Sequence, residues 1–408
     1  MKKLNLIWTA LPAFRSPNFR LWFMGQSLSL LGTWMTNLAV VWLVYHLTGS
    51  AFWLGIVSFC TQAPIFVLSL LGGAVVDRYP RRQILLITQT LSMLVSFTLA
   101  GLTLTGTISV TAILVLSLFQ GIISGFDTPA RLSFAPDLLE EPDSLANGIA
   151  MFASLFSTTR FLGPAIAGML IAASGAGVCF LLDGFSYVAA LTALIWIRPP
   201  QKSVLPPSTT PPWQQVTEGL VYAYQTPTVR SLLLLASFVN GLIATSVLLP
   251  IVAQEILQGG AQTLGWLTGC SSLGAVLGSF YLGKQRGKPG LTRAIGVALG
   301  VMAISLLLFG FSHNLVLSLV TIAGVGFGGL LSNASSNTLL QMISAEDKRG
   351  RVVSLFSMAA LGMMALASLV FGLLAHPMGV LTVYLLCGGV CLLGWLYFPR
   401  QLQGLAND

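Results

Sequence analysis

Three observations predict an all-α polytopic membrane protein with twelve transmembrane helices in two six-helix bundles. Charge is scarce, apolar runs have helix length, and basic residues keep to alternate connections. Charged residues make up 8% of the 408, against roughly 25% in soluble domains, and 55% of the chain is hydrophobic. A bilayer-crossing helix needs about 20 apolar residues. Runs of that kind fall near 20–46, 52–76, 84–105, 109–127, 144–172, 177–197, 230–253, 262–283, 291–311, 314–341, 352–374 and 379–398. They are continuously apolar, which excludes a β-barrel, whose strands alternate apolar and polar residues.

The basic residues test this count, because Lys and Arg are retained on the cytoplasmic side. Nineteen of the twenty fall in alternate connections or at the ends. The N-terminus has Lys2, Lys3, Arg15 and Arg20; the second-to-third connection has Arg78, Arg81 and Arg82; the fourth-to-fifth has Arg131. Arg198, Lys202 and Arg230 occupy the middle, Lys284, Arg286, Lys288 and Arg293 the eighth-to-ninth connection, Lys348, Arg349 and Arg351 the tenth-to-eleventh, and Arg400 the tail. The opposite loops, such as "HLTGS" and "SHNL", have none. A missed span would scramble this alternation, so both termini are expected on the cytoplasmic side.

The expected organisation is a lead-in over 1–19, a first bundle over 20–197, a cytoplasmic linker over 198–229, a second bundle over 230–398 and a tail over 399–408. The lead-in "MKKLNLIWTALPAF" has no convincing small-residue cleavage site, and is read as uncleaved. Seven of the nineteen prolines lie in the linker, which favours extended chain. Trp213 to Tyr224 has the composition of a short amphipathic helix at the headgroups. Parallel repeats would return features about 205 residues later; Gly73 maps to Gly278 and Arg81 to Arg286, whereas Asp77 and Arg78 map to Leu282 and Gly283, a degraded echo.

The stretch "GGAVVDRYPRRQ" concentrates charge in a single turn. Its pattern Gly73-x3-Asp77-Arg78-x2-Arg81-Arg82 resembles the loop signature of the major facilitator superfamily, with Pro80 where glycine is usual. "RFLGPAIAG", with Arg160, Gly163, Pro164 and Gly168, is similar to the helix-five motif of that superfamily's antiporters. The texture of "DTPARLSFAPDL", "FLLDGFSYVAAL" and "KRGRVVSLF" looks like the bacterial efflux branch that includes macrolide and enterobactin exporters. The resemblance implies a cytoplasmic gate. Asp77 would face the start of helix eleven near Arg351–Val352, Arg78 would pair with Asp127, and these contacts would break when the transporter opens inward. The plainer alternative is that the arginines serve only orientation, an account that fits Arg81 and Arg82 better than the acid Asp77.

Arg160 is the one basic residue outside the cytoplasmic set, and Asp183 is the most deeply embedded acid. Ionisable groups at such depth face the bundle interior or a water-filled cavity. Asp183 is the proton-coupling candidate, with an ion pair to Arg160 or a helix-end role as the alternative; Glu255, at the mouth of helix seven, is a weaker one. Superfamily cavities are lined by helices one, four, seven and ten, which here carry Trp34, Asn37, Gln120, Asn240 and Asn333. Mainly apolar walls with a few amides suit an amphipathic solute, while for each amide singly an interhelical hydrogen bond is the structural alternative.

Other signals are discounted. "GVGFGG" satisfies a dinucleotide fingerprint but follows no strand; it reads as close helix packing, as do Gly121-x3-Gly125 and Gly274-x3-Gly278. There is no Walker A sequence, the three His are scattered, and the five Cys fall inside apolar runs without CxxC spacing. No metal, cofactor, catalytic set or nucleic-acid partner is expected. The expected function is proton-coupled efflux of an amphipathic small molecule, drug- or siderophore-like, by a lipid-embedded monomer. The alternatives are a facilitator or importer of a siderophore or lysolipid, and a non-transporting sensor on the same fold.

Overall fold

The computed structural model describes residues 12–139, 142–197, 212–346 and 348–402. Among them there is no strand. The membrane helices of the first sequence half are α1 (Pro17–Thr48), α2 (Ala51–Arg78), α3 (Arg81–Leu104), α4 (Val110–Asp137), α5 (Pro142–Ser174) and α6 (Ala176–Trp196). A linker helix (Pro212–Gln225) precedes α7 (Pro227–Ile243), α8 (Ala261–Gly283), α9 (Gly287–Gly310), α10 (Leu315–Ile343), α11 (Arg349–Met378) and α12 (Val380–Leu402). Eleven helices among the described residues are long and apolar enough to cross a bilayer. The twelfth, α8, has 23 residues, about 35 Å of helix; its Gly, Ser and Thr residues dilute its hydropathy without shortening it.

Two local results depart from the expected spans. α4 runs to Asp137, ten residues beyond the predicted end at 127, with Pro129 and Pro136 inside it. An Asp127–Arg131 ion pair one turn apart supports this extension. α7 does not continue as one α-helix: a 3-10 stretch Ala244–Leu248, a turn Leu249–Ile251 and a π-helical stretch Val252–Ile256 follow it. Pro250 has no N–H to give Ser246, and Leu249 N–H takes that carbonyl instead, tightening the turn.

The internal repeat is clearer in the turns than in the charged loop. The Ser109 side chain caps α4 by accepting from Ala112 N–H, and Asn314, 205 positions on by its number, caps α10 by accepting from Val316 N–H. Gly175 (φ 82) joins α5 to α6 and Gly379 (φ 81) joins α11 to α12 as one-residue connections, a conformation that favours glycine.

The chain forms two compact units that do not coincide with its covalent halves. The first comprises Met1–Val40 and Val67–Ser208; the second comprises Val41–Phe66 and Thr209–Asp408. The segment 41–66 joins the second unit through small residues that permit backbone approach: Gly55 lies against Gly372 and Ser368 of α11, and Ser58 Oγ donates to Ser368 Oγ at 3.2 Å. The first unit has an aromatic core near its arginine-rich end, hereafter its basic end, where Phe19, Trp22 and Phe134 are almost fully buried with Leu194 and Ile197. In the second unit the linker helix rests on basic residues, with Lys348 Nζ 4.8 Å from the Tyr222 ring and Arg230 5.9 Å from that of Tyr224.

Candidate functional site

The interior of the first unit is polar along one line. On α3, Thr88, Ser92 and Ser96 recur every four residues and therefore share a face. Thr88 Oγ1 donates to Asp127 Oδ1 at 2.8 Å, Gln120 Nε2 donates to Ser92 Oγ at 3.2 Å, and Ser96 Oγ donates to Asp183 Oδ2 at 2.7 Å. Asp183, 2% exposed, also receives Thr36 Oγ1 at 2.9 Å and Ser186 Oγ at 3.4 Å. Gly32 makes room for this carboxylate, since a β-carbon there would stand 2.5 Å from Asp183 Oδ1. Three hydroxyls thus bond a single buried acid. Such an arrangement solvates the charge within the bundle, and a hydroxyl's freedom to rotate accommodates the protonated acid as well.

Arg160 is not among the hydrogen-bond partners of that carboxylate. Its guanidinium lies 5.4 Å from the centre of the Trp34 ring, and the Trp34 ring also meets Phe156 edge-on at 5.7 Å. Gly163 allows this, packing directly on the Trp34 Cβ, while Pro164 and Gly168 are buried in α5.

The charged turn resolves into distinct tasks. Arg81 Nη1 donates to Asp137 Oδ2 at 2.7 Å and to the Ser133 carbonyl at 3.0 Å, tying the start of α3 to the end of α4. Arg82 donates through Nε to the Leu194 carbonyl and through Nη2 to the Ile195 carbonyl, each at 2.8 Å, capping the last turn of α6. These two arginines brace the unit internally, a task distinct from both the gate expected of them and the orientation weighed as its alternative. Asp77 and Arg78 are exposed. The expected Arg78–Asp127 pair is replaced: Asp127 holds Arg131, at 2.5 Å from Nη2 and 3.0 Å from Nε, because the helical extension of α4 brings Arg131 one turn along the same face. Of the two adjacent glycines that open the turn, it is Gly72 that packs. Gly73 meets nothing within 4 Å of a β-carbon position, whereas Gly72 sits on the carbonyl of Gly125, the oxygen that Pro129 leaves without its helical N–H partner.

In the second unit two of the amides expected to line a cavity bond each other, Asn240 Nδ2 to Asn333 Oδ1 at 2.8 Å, joining α7 to α10. Asn37 of α1 is exposed. Glu255, in the π-helical stretch after α7, accepts a short hydrogen bond from the buried Tyr45 hydroxyl. The "GVGFGG" glycines do pack helices, with Gly324 against Ser305, Gly326 against the Ser271 carbonyl and Gly328 against Met302. The residues missed from sequence were Arg131, Asp137 and the hydroxyls of Thr36, Thr88 and Ser96. Their signals were present, in the four-residue spacing of Asp127 with Arg131 and of the α3 hydroxyls.

Among solved structures the chain is similar to the nucleoside transporter NupG, with TM-score 0.69, 14% identity, and 94% and 99% of the two chains covered. It is likewise similar to a bacterial homologue of the human lysosomal transporter Spinster, with TM-score 0.68, 15% identity and 95% of each chain covered. Twelve membrane-length helices among the described residues, on this fold, define a polytopic membrane protein. Within that class the chain belongs to the transmembrane secretion effector family, whose model matches residues 8–400. It is 27% identical over 385 residues to the staphyloferrin A transporter of Staphylococcus aureus, covering 93% of this chain and 95% of that one. It is 27% identical to the multidrug efflux pump Tap of Mycolicibacterium fortuitum over 87% of this chain and 88% of that one. It is 26% identical to the enterobactin exporter EntS of Escherichia coli over 84% and 81%. Both the relatives and the fold are those of transporters and not of enzymes.

Proposed function

We propose that the protein is a secondary active exporter of the bacterial plasma membrane, exchanging protons for an amphipathic, drug- or siderophore-like molecule by alternating access. The observation that carries export is similarity along most of both chains to proteins named as an exporter and an efflux pump. Coupling is assigned to Asp183, an acid 2% exposed within a membrane helix and bonded by hydroxyls able to serve either protonation state. The termini and the arginine-bearing loops are assigned to the cytoplasm. Asp77, exposed at the end of α2, is assigned to the gate, separately from the bracing arginines. A single chain in lipid is the working unit.

Reconstitution into liposomes with an imposed pH gradient tests this reading, with dyes, macrolides, catecholate siderophores and lysolipids as probes. At least one probe is expected to move against proton flow, and Asp183→Asn to abolish the coupled proton movement. Probe transport that ignores the gradient in the unmodified protein would overturn proton exchange.

A further inference from the structure

The polar line that ends at Asp183 continues toward the basic end through groups that have no protein partner. Gln26 Oε1, Ser29 Oγ and both amide atoms of Gln89 are buried without a hydrogen bond, and the three residues are 1%, 0% and 0% exposed. Leaving such a group unmet costs stability, so clustered cases call for a partner.

The helix registers place these groups at one level. On α1, Thr36 bonds Asp183 and Thr33 meets the Tyr187 hydroxyl at 3.1 Å, while Gly25 packs on Ala190 and Ala193. Gln26 and Ser29 therefore fall between Tyr187 and Ala193 of α6. On α3, Ser96 bonds Asp183 and Arg82 reaches Leu194 and Ile195, with Gln89 midway between them in sequence. Two helices flanking α6 thus present orphaned amides and a hydroxyl at similar depth, about two to three turns from Asp183. Thr88, beside Gln89, bonds Asp127, whose other oxygen is held by Arg131.

We infer that Gln26, Ser29 and Gln89 hold a short file of water that forms a proton path inside the first unit, running from the Asp127–Arg131 pair to Asp183. Buried waters satisfy two to four polar groups each, and this donor and acceptor set is of that kind. In the final step a proton passes from the file to a lone pair of Ser96 Oγ, and the proton already on Ser96 passes to Asp183 Oδ2. One proton enters and one carboxylate is neutralised. The charged and titratable groups that act on Asp183 are Arg131 of α4 together with Tyr187 and Cys179 of its own helix, while α1 and α3 present the Thr36 and Ser96 hydroxyls. The path rests on the reading of Asp183 as the coupling acid, and gives that acid a route to the basic end through the body of one bundle.

The test is infrared spectroscopy of the full chain in lipid, with the carboxylic C=O band of Asp183 identified by its loss in Asp183→Asn. After a change from water to heavy water, the band of the unmodified protein is expected to shift quickly. Gln89→Leu and, on the other helix, Gln26→Leu are each expected to slow that shift about tenfold, since leucine cannot hold the water; Gln89→Asn keeps it fast. An unaltered rate in both leucine variants overturns the path and leaves the coupling role standing, and a gain in thermal stability in those variants would identify the seam as dry. Absence of a protonated Asp183 band at every pH overturns the coupling role itself, and the path with it.

Discussion

Arg81 of α3 and Asp137 of α4 meet at 2.7 Å, with side chains 32% and 21% exposed, and the same guanidinium holds the Ser133 carbonyl. A partly buried pair reinforced by a backbone bond is worth more than an open surface pair. A double-mutant cycle of Arg81→Ala and Asp137→Ala should return a coupling of about 1 kcal/mol. Thermal unfolding in detergent measures it, and a coupling of zero would show that the two are merely adjacent.

Gly32 is the floor of the Asp183 site, because an added β-carbon would strike both the carboxylate and the Ser186 hydroxyl. Gly32→Ala should displace the acid from its hydroxyls and cut proton-coupled transport at least about tenfold, a 1.4 kcal/mol effect on the barrier. Membrane abundance is expected to fall less, the change being one methyl group. Equal activity per molecule would mean that the arrangement of hydroxyls around Asp183 has no bearing on turnover.

Ser58 and Ser368 lie Oγ to Oγ at 3.2 Å where Gly55 and Gly372 bring α2 and α11 together. In a background lacking the five native cysteines, S58C with S368C should form a disulfide under mild oxidation, since close helices meet its geometric demands. Transport is expected to stop on oxidation and return on reduction, because the proposed alternating access requires this contact to part. Undiminished transport with the bond formed would exclude movement here.

Within the charged turn, Asp77→Asn and Arg81→Ala should fail in different ways. Asp77 is exposed, so its loss should leave abundance normal and reduce transport at least about tenfold, as expected of a gate. Loss of Arg81 should lower abundance first, because it braces two helices. Surface quantification alongside uptake assays separates the two. Identical phenotypes would return the whole motif to a single role.

The membrane helices were legible because apolar runs and basic loops are long-range signals that survive local noise. What was not legible depended on direction. Arg82 is in the expected loop, yet nothing in the local sequence says that it reaches Leu194, 112 residues away. The packing of Gly72 was not legible either, because its partner is a carbonyl freed by Pro129 on another helix. Asp183 is buried, and its hydrogen-bond partners are hydroxyls rather than the Arg160 weighed as an alternative. Ser and Thr are common on membrane helices, and only a structure shows which of them converge. Asn240 and Asn333 took the interhelical bond that is the ordinary fate of such amides.

The reach of Arg82 bears on how the chain is made. Its carbonyl partners are translated 112 and 113 residues later, roughly 6 to 22 seconds at ordinary ribosome speed. During that interval Arg82 lacks these two acceptors. The first unit can therefore close at this end only once the sixth segment has been made, since a chain ending before Leu194 lacks both acceptors of Arg82.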